Sequence, residues 1–363
     1  MRILIVIGTR PEAIKMLPLY LELKKISEFE VLLCNTGQHR ELIKDVLKYF
    51  KATPDYSLDV MKKGQTLLEM SIKLLKNIDI ILEKEKPDLV LVHGDTTSAF
   101  CAALSAFYKG IKIAHIEAGL RTFDKAAPYP EEFNRVAVDS IADLHFAPTF
   151  LASENLVKEG KKSVFTVGNT VIDALKYTLD DNYDFEKLEI KKDRKLLLIT
   201  THRRENLGEK MKNSLLGIRD ILNLREDIFA VFPVHPNPQV REVVKEVFNN
   251  IKNIKICDPL PVYDFHNLLL RSFAVITDSG GIQEEAAYLG VPVFLLRDTT
   301  ERSEGVKSGN IRLLGTKRER ILSEFLSTIN DEKSIMEMRK KSYSYGSGEA
   351  SKKITQVIID TFL

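Results

Sequence analysis

The stretch AVITDSGGIQEEAAYLGVPVFLL, residues 274–296, decides the fold. A short apolar run rich in β-branched residues meets a pair of glycines. A segment of strong helix formers follows, closed by Gly290, and a second apolar run begins. Strand, turn, helix and strand in that order make a βαβ unit, the connection that joins parallel neighbours. Paired glycines let a backbone approach a ligand closely, and the free amides of a helix start favour an anion. Two readings of Ser279-Gly280-Gly281 stand side by side. One is a diphosphate cradle, with the Ser279 hydroxyl as a further donor. The other is a plain turn in which Asp278 or Ser279 caps the helix.

The same alternation extends outward in both directions. Predicted strands fall at 2–8, 31–36, 88–93, 111–116, 144–148 and 164–168, then at 195–201, 228–235, 254–258, 274–278 and 292–297. Between them lie stretches such as PEAIKMLPLYLELKKI, with apolar residues three and four positions apart. Near-continuous apolar strands suit a parallel sheet covered on both faces. The segment DDNYDFEKLEIKKDRK, around 180–194, is charged and lacks an apolar period, which places a link there. The fold class is therefore α/β, with two doubly wound, Rossmann-like halves, and SKKITQVIIDTFL forms a closing helix.

Length and composition agree. A chain of 363 residues exceeds one ordinary hydrophobic core. Its 53 basic and 51 acidic residues leave a formal charge of +2, which excludes a dedicated nucleic-acid surface. Cys34, Cys101 and Cys257 lie far apart in apolar runs without metal-ligand spacing, so buried, reduced thiols are expected. The opening apolar run is cut short by Arg10, Glu12 and Lys15, and no stretch approaches a membrane span. A cytoplasmic protein without membrane partners is the expectation.

Ligands of doubly wound sheets sit beyond the carboxyl ends of the strands. The residues just past the predicted strands are Gly8-Thr9-Arg10, Gly37-Gln38-His39, His93-Gly94-Asp95, Glu117, His202-Arg203-Arg204, His235 and Ser279-Gly280-Gly281. Nearly all the reactive side chains of the sequence gather there, which points to a catalytic cleft. Asp95, Glu117 and Glu131 form a possible acid–base cluster. Each also has a plainer role: Asp95 as the cap of a helix starting near Thr97, Glu117 as a turn acid, Glu131 as a carboxylate favoured by a helix N-terminus. His202 reads as a phosphate contact or proton donor, or as a histidine beside a solvated charge run; His39 and His235 are weaker. Spacing among the histidines argues against zinc. The first turn, IGTRPEAIK, lacks GxGxxG, which disfavours a nicotinamide cofactor bound in the usual way.

GTRPEAIKMLP, TGQHRELI, VHGDTTS, HIEAGLRT, YPEEFNR, VGNTVIDAL, THRREN, PVHPNP, TDSGGIQEEAAYLGVPV and DTTER occur in that order along nearly the whole chain. Together they resemble the non-hydrolysing UDP-N-acetylglucosamine 2-epimerase family. The resemblance implies a GT-B-like arrangement of two Rossmann-like domains facing across a cleft. The N-terminal domain would hold 1–170 and the returning segment 346–363, and the C-terminal domain 171–345. It implies a homodimer that interconverts UDP-GlcNAc and UDP-ManNAc with no metal or nicotinamide cofactor. It assigns UDP binding to Arg10, Ser279, Gly280, Gly281 and Glu285, with Phe265 against the uracil. It assigns catalysis to Asp95, Glu117, Glu131 and His202, with Lys15 as a supporting cation. Some relatives carry an activating UDP-GlcNAc site, whose positions match Gln38, His39, Gln65, Arg203 and His235, although Gly64 stands where some have arginine. A hydrolysing relative, a GT-B glycosyltransferase and a catalytically silent nucleotide-sugar sensor are the alternatives.

Overall fold

A computed structural model describes the chain except for residues 39–42, 63, 186–192, 202–207 and 301 and the side chain at 303. The chain divides into two compact units, Met1–Tyr177 with Tyr345–Leu363, and Thr178–Ser344.

The strands of the first unit are β1 (Arg2–Ile7), β2 (Glu30–Asn35), β3 (Tyr56–Ser57), β4 (Leu89–His93), β5 (Lys112–Ile116), β6 (Leu144–Ala147) and β7 (Val164–Thr166). Among the described residues they form one seven-stranded sheet, ordered β3-β2-β1-β4-β5-β6-β7. Every neighbouring pair is parallel. Ile3 to Ile7 are all fully buried, so both faces of β1 are covered, as the unbroken apolar run requires. On one face Leu4, Val6, Val90 and Val92 pack with Leu74 and Ile78 of helix Leu67–Glu85 and Ala99 and Ala102 of helix Thr97–Tyr108. Each such valine, leucine or isoleucine side chain contributes about 1.5–3 kcal/mol on burial.

The closing helix, Ala350–Phe362, belongs to this first unit and packs on helix Arg10–Leu23. Asp173 accepts hydrogen bonds from the amides of Ala350, at 3.2 Å, and Ser351, at 2.7 Å, and so fixes its start.

The second unit holds β8 (Lys195–Thr200), β9 (Ile228–Pro233), β10 (Ile254–Cys257), β11 (Ala274–Thr277), β12 (Val293–Leu295) and β13 (Ile311–Leu313). Its six described strands run β10-β9-β8-β11-β12-β13, again all parallel. Leu197, Ile199, Phe232 and Phe294 form its core with Leu215 and Ile218 of helix Glu209–Leu224 and with Phe325 of helix Arg318–Asn330.

Both sheets reverse their order once, between β1 and β4 and between β8 and β11. The crevice outside the strand ends at such a reversal is where open α/β sheets bind ligands. Cys34 and Cys101 are buried and Cys257 is half-buried, so the expectation of burial fails for the last, which ends the edge strand β10. No described helix is long and apolar enough to cross a membrane.

Candidate active site

At the first reversal, β1 runs into a tight glycine. A Cβ on Gly8 would lie 2.3 Å from Ser98 Oγ and 2.5 Å from Thr36 Oγ1, so only glycine fits. Thr9 then caps helix Arg10–Leu23 in a capping box with Glu12. Glu12 Oε2 accepts from the amides of Gly8, at 3.1 Å, and Thr9, at 2.7 Å, while its Oε1 accepts from Thr96 Oγ1 at 2.8 Å. Burial pushes this carboxyl up to about 7 against the pull of those donors. Arg10, on the same turn, lies 3.6 Å from Asp45.

One turn on, the buried Lys15 reaches the end of β5 and pairs with Glu117. Asn169 Nδ2, just past β7, donates to the same oxygen at 2.7 Å. Glu117 has φ +63°, a left-handed conformation costing a side-chain-bearing residue roughly 1–2 kcal/mol. Such local strain persists where the surroundings fix it, and it clusters at active sites. His93, the last residue of β4, presents Nε2 3.8 Å from Glu117 Oε2. Burial lowers the His93 ring to about 4, so it is neutral at ordinary pH, and Nε2 has no hydrogen-bond partner.

Asp95 follows β4 and pairs with the buried Arg135, whose Nη1 also holds Glu132 at 3.0 Å. The plainer role for Asp95 is already filled, because Thr96 caps helix Thr97–Tyr108 through the Ala99 amide at 3.0 Å. Glu131 opens helix Glu131–Ile141. That helix carries Arg135 to Asp95, so Asp95 and Glu131 share one local framework. Lys15, Glu117, Asn169 and His93 make another, and His93 and Asp95 are separated only by Gly94 along the chain.

At the second reversal, Thr200 and Thr277 join β8 to β11 through their hydroxyls, at 2.6 Å. Ser279 sits at the cap position of helix Gly280–Leu289, where its side chain makes no capping bond. The two glycines differ. A Cβ on Gly280 would lie 2.5 Å from Arg302 Nη1, whereas one on Gly281 meets nothing within 4 Å. Gly280 makes room for Arg302, and Gly281 leaves the helix start open.

Arg302 Nε donates to the buried Glu284 at 2.6 Å, and Gln283 is tied to Ser279 O and Thr300. Of this acidic run only Glu285 keeps a buried carboxylate oxygen, Oε2, without a hydrogen bond, 3.7 Å from His266 Nε2. Phe265 adjoins that ring, with centroids 6.2 Å apart.

The remaining expected positions belong to both units. Gln38 accepts from Ser98 Oγ at 2.8 Å. Gln65 accepts from the Lys62 amide at 3.0 Å. His235 is exposed past β9, with Nδ1 accepting from the Asn237 amide at 3.2 Å. His39, His202 and Arg203 lie outside the described residues. The sequence reading placed His93 among the strand-end residues of the cleft without giving it a role, and it did not single out Arg135, Asn169 and Arg302. All four fall in quoted motifs, but no spacing shows that they reach Glu117, Asp95 and Gly280.

Two doubly wound units, one with acids and a buried lysine at its switch point and one with an open helix start, define a GT-B-like α/β enzyme class. A family model described as UDP-N-acetylglucosamine 2-epimerase matches residues 21–359, and the chain belongs to that family. The UDP-N-acetylglucosamine 2-epimerase of Bacillus subtilis (strain 168) is 47% identical over 361 residues, covering 99% of this chain and 95% of that one. The enzyme of the same name from Escherichia coli (strain K12) is 43% identical over 369 residues, covering 99% and 98%. The solved UDP-GlcNAc 2-epimerase from Neisseria meningitidis, bound to UDP-GlcNAc, superposes with a TM-score of 0.94 at 41% identity, covering 99% and 100%.

Proposed function

We propose that this chain carries out its family's reaction, the reversible epimerisation at C2 of UDP-GlcNAc to UDP-ManNAc, by elimination and re-addition of UDP. The observation that supports the course most is the Glu117 arrangement: a strained carboxylate at a switch point, fixed by a buried lysine and an amide. The C2 proton is not next to a carbonyl, so bare deprotonation is slow. When a base takes that proton as the C1–O bond to UDP breaks, the electron pair forms the double bond of 2-acetamidoglucal. An acid then returns a proton to the opposite face of C2 while a UDP oxygen re-forms the bond to C1.

Asp95, Glu117 and Glu131 are the proton-transfer groups in this reading, with Lys15 as a supporting cation paired with Glu117. Ser279, Gly280 and Gly281 hold the diphosphate, Glu285 accepts from the ribose diol, and Phe265 lines the uracil site. Arg10 and His202 stabilise the departing UDP, the electrostatic effect that is usually largest. Gln38, His39, Gln65, Arg203 and His235 belong to an activating second UDP-GlcNAc site, expressed as sigmoidal kinetics. The working form is a cytoplasmic homodimer. Its support is a group of exposed apolar side chains on three neighbouring helices of the first unit, Leu68, Ile72, Phe107, Tyr108 and Phe133.

Product analysis tests the reading. UDP-GlcNAc alone should yield UDP-ManNAc without a matching amount of free UDP. Free N-acetylmannosamine with equimolar UDP would replace this reading with hydrolysis, and binding without turnover would make the chain a sensor.

A further inference from the structure

Behind the proposed acids lies a second, fully buried polar cluster that takes no direct part in the reaction. His115, one residue before the end of β5, is completely buried between two partners. Its Nε2 lies 2.8 Å from the Gly94 carbonyl and its Nδ1 2.6 Å from Asp139 Oδ1. A carbonyl only accepts, so Nε2 carries the hydrogen on that side. Gly94 has φ +61°, and its amide donates to Ile116 O at 2.9 Å, so β5 grips the residue before Asp95 at both its amide and its carbonyl.

Asp139 extends the link. Its Oδ2 accepts from the Gly119 amide at 3.2 Å and from Arg121 Nη2 at 2.8 Å, and its carbonyl lies 2.9 Å from His145 Nε2. Burial alone would raise this carboxyl, but His115 and Arg121 hold it below the usual carboxylate range. Arg121 is itself fixed by two parallel bonds to Glu159, at 2.8 and 2.7 Å. Asp139 stands on the helix that opens with Glu131 and bears Arg135, the partner of Asp95. Gly119 lies two residues past Glu117.

We infer that His115 and Asp139 are positioning residues that set the spacing of the three acids, because one buried pair joins the Gly94-Asp95 turn, the Glu117-to-Gly119 turn and the Glu131 helix. An inversion needs two groups on opposite faces of one carbon. A displacement of about 1 Å at such groups costs up to roughly 100-fold in rate. Loosening this joint lets the acid that removed the C2 proton return it to the same face, while the helix start that holds UDP in the second unit is unaffected.

The inference rests on the epimerase reading, and the experiment separates the two. Wild type, His115→Asn and His115→Gln are incubated with UDP-GlcNAc in deuterated water, and C2 exchange with retention is compared with epimerisation. The Asn amide reaches toward Asp139 and abandons Gly94; the Gln amide reaches toward Gly94 and abandons Asp139. Both variants should lower kcat at least tenfold with UDP affinity within twofold of wild type. Both should also raise the ratio of retained exchange to inversion.

If either variant fails to fold, Asp139→Asn, which keeps the volume and changes the acceptor, is read by the same ratio. An unchanged ratio, with activity falling only as the folded fraction falls, makes the cluster structural and overturns the inference. A wild type that does not epimerise overturns the reading beneath it instead.

Discussion

Gly281→Ala separates stability from binding at one atom. The added Cβ meets nothing within 4 Å and the backbone is not left-handed, so the free protein accepts it without strain. Replacing glycine by alanine in a helix stabilises by roughly 0.5–1 kcal/mol, through chain entropy. The apo protein should therefore melt higher than wild type. The amide is retained and only a methyl is added, on the open side of the proposed cradle. If a diphosphate closes on that backbone, the methyl stands between them and UDP binding should weaken at least tenfold.

At UDP near 100 times the wild-type Kd, linkage stabilises wild type by about 2.7 kcal/mol. A tenfold weaker site leaves about 1.4 kcal/mol. Thermal unfolding with and without UDP, together with calorimetric titration, reads both effects. A raised apo Tm with unchanged UDP affinity would refute the cradle, because nothing then closes on Gly281.

Three further outcomes follow from the geometry. Gly280→Ala should lose about 1–3 kcal/mol even without ligand, since its Cβ would drive Arg302 away from the buried Glu284; denaturant unfolding checks it. Glu12, raised to about 7, contributes stability that is complete below its unfolded value near 4.5 and fades as pH rises through about 7. Between pH 5 and 7.5 wild type should therefore lose about 2 kcal/mol that Glu12→Gln does not lose, by unfolding at each pH. Leu68→Glu with Ile72→Glu should turn the proposed homodimer into a monomer in sedimentation velocity; a dimer that persists would place the interface elsewhere, and a monomeric wild type would refute the homodimer.

The long central strands were legible because each is a continuous apolar run buried on both faces, and their observed ends fall within a residue or two of the reading. Tyr56–Ser57 and Ile311–Leu313 were not, being edge strands too short to show a period. The division between the units falls at Tyr177–Thr178, while the charged stretch that marked a link lies just downstream, because the chain crosses within helix Thr170–Thr178 before its composition changes.

Strand-end placement brought out Glu117, Asp95 and the glycine pair, since a parallel sheet presents its residues there. The partners of those groups were hidden for a topological reason. Lys15 and Asn169 meet at Glu117 across 102 and 52 residues of sequence, and Arg135 meets Asp95 across 40. Only the sheet order brings them together. The bland alternative for Asp95 fell to its neighbour Thr96, a distinction of one residue that no helix-cap pattern resolves in advance.

The central claim is that C2 loses its proton to the protein and regains one from solvent during inversion. Purified protein incubated with UDP-GlcNAc in deuterated water and examined by proton NMR tests it directly. The account predicts UDP-ManNAc alongside UDP-GlcNAc, with deuterium at C2 of both epimers as equilibrium is approached. Inversion with the original C2 hydrogen retained would contradict it.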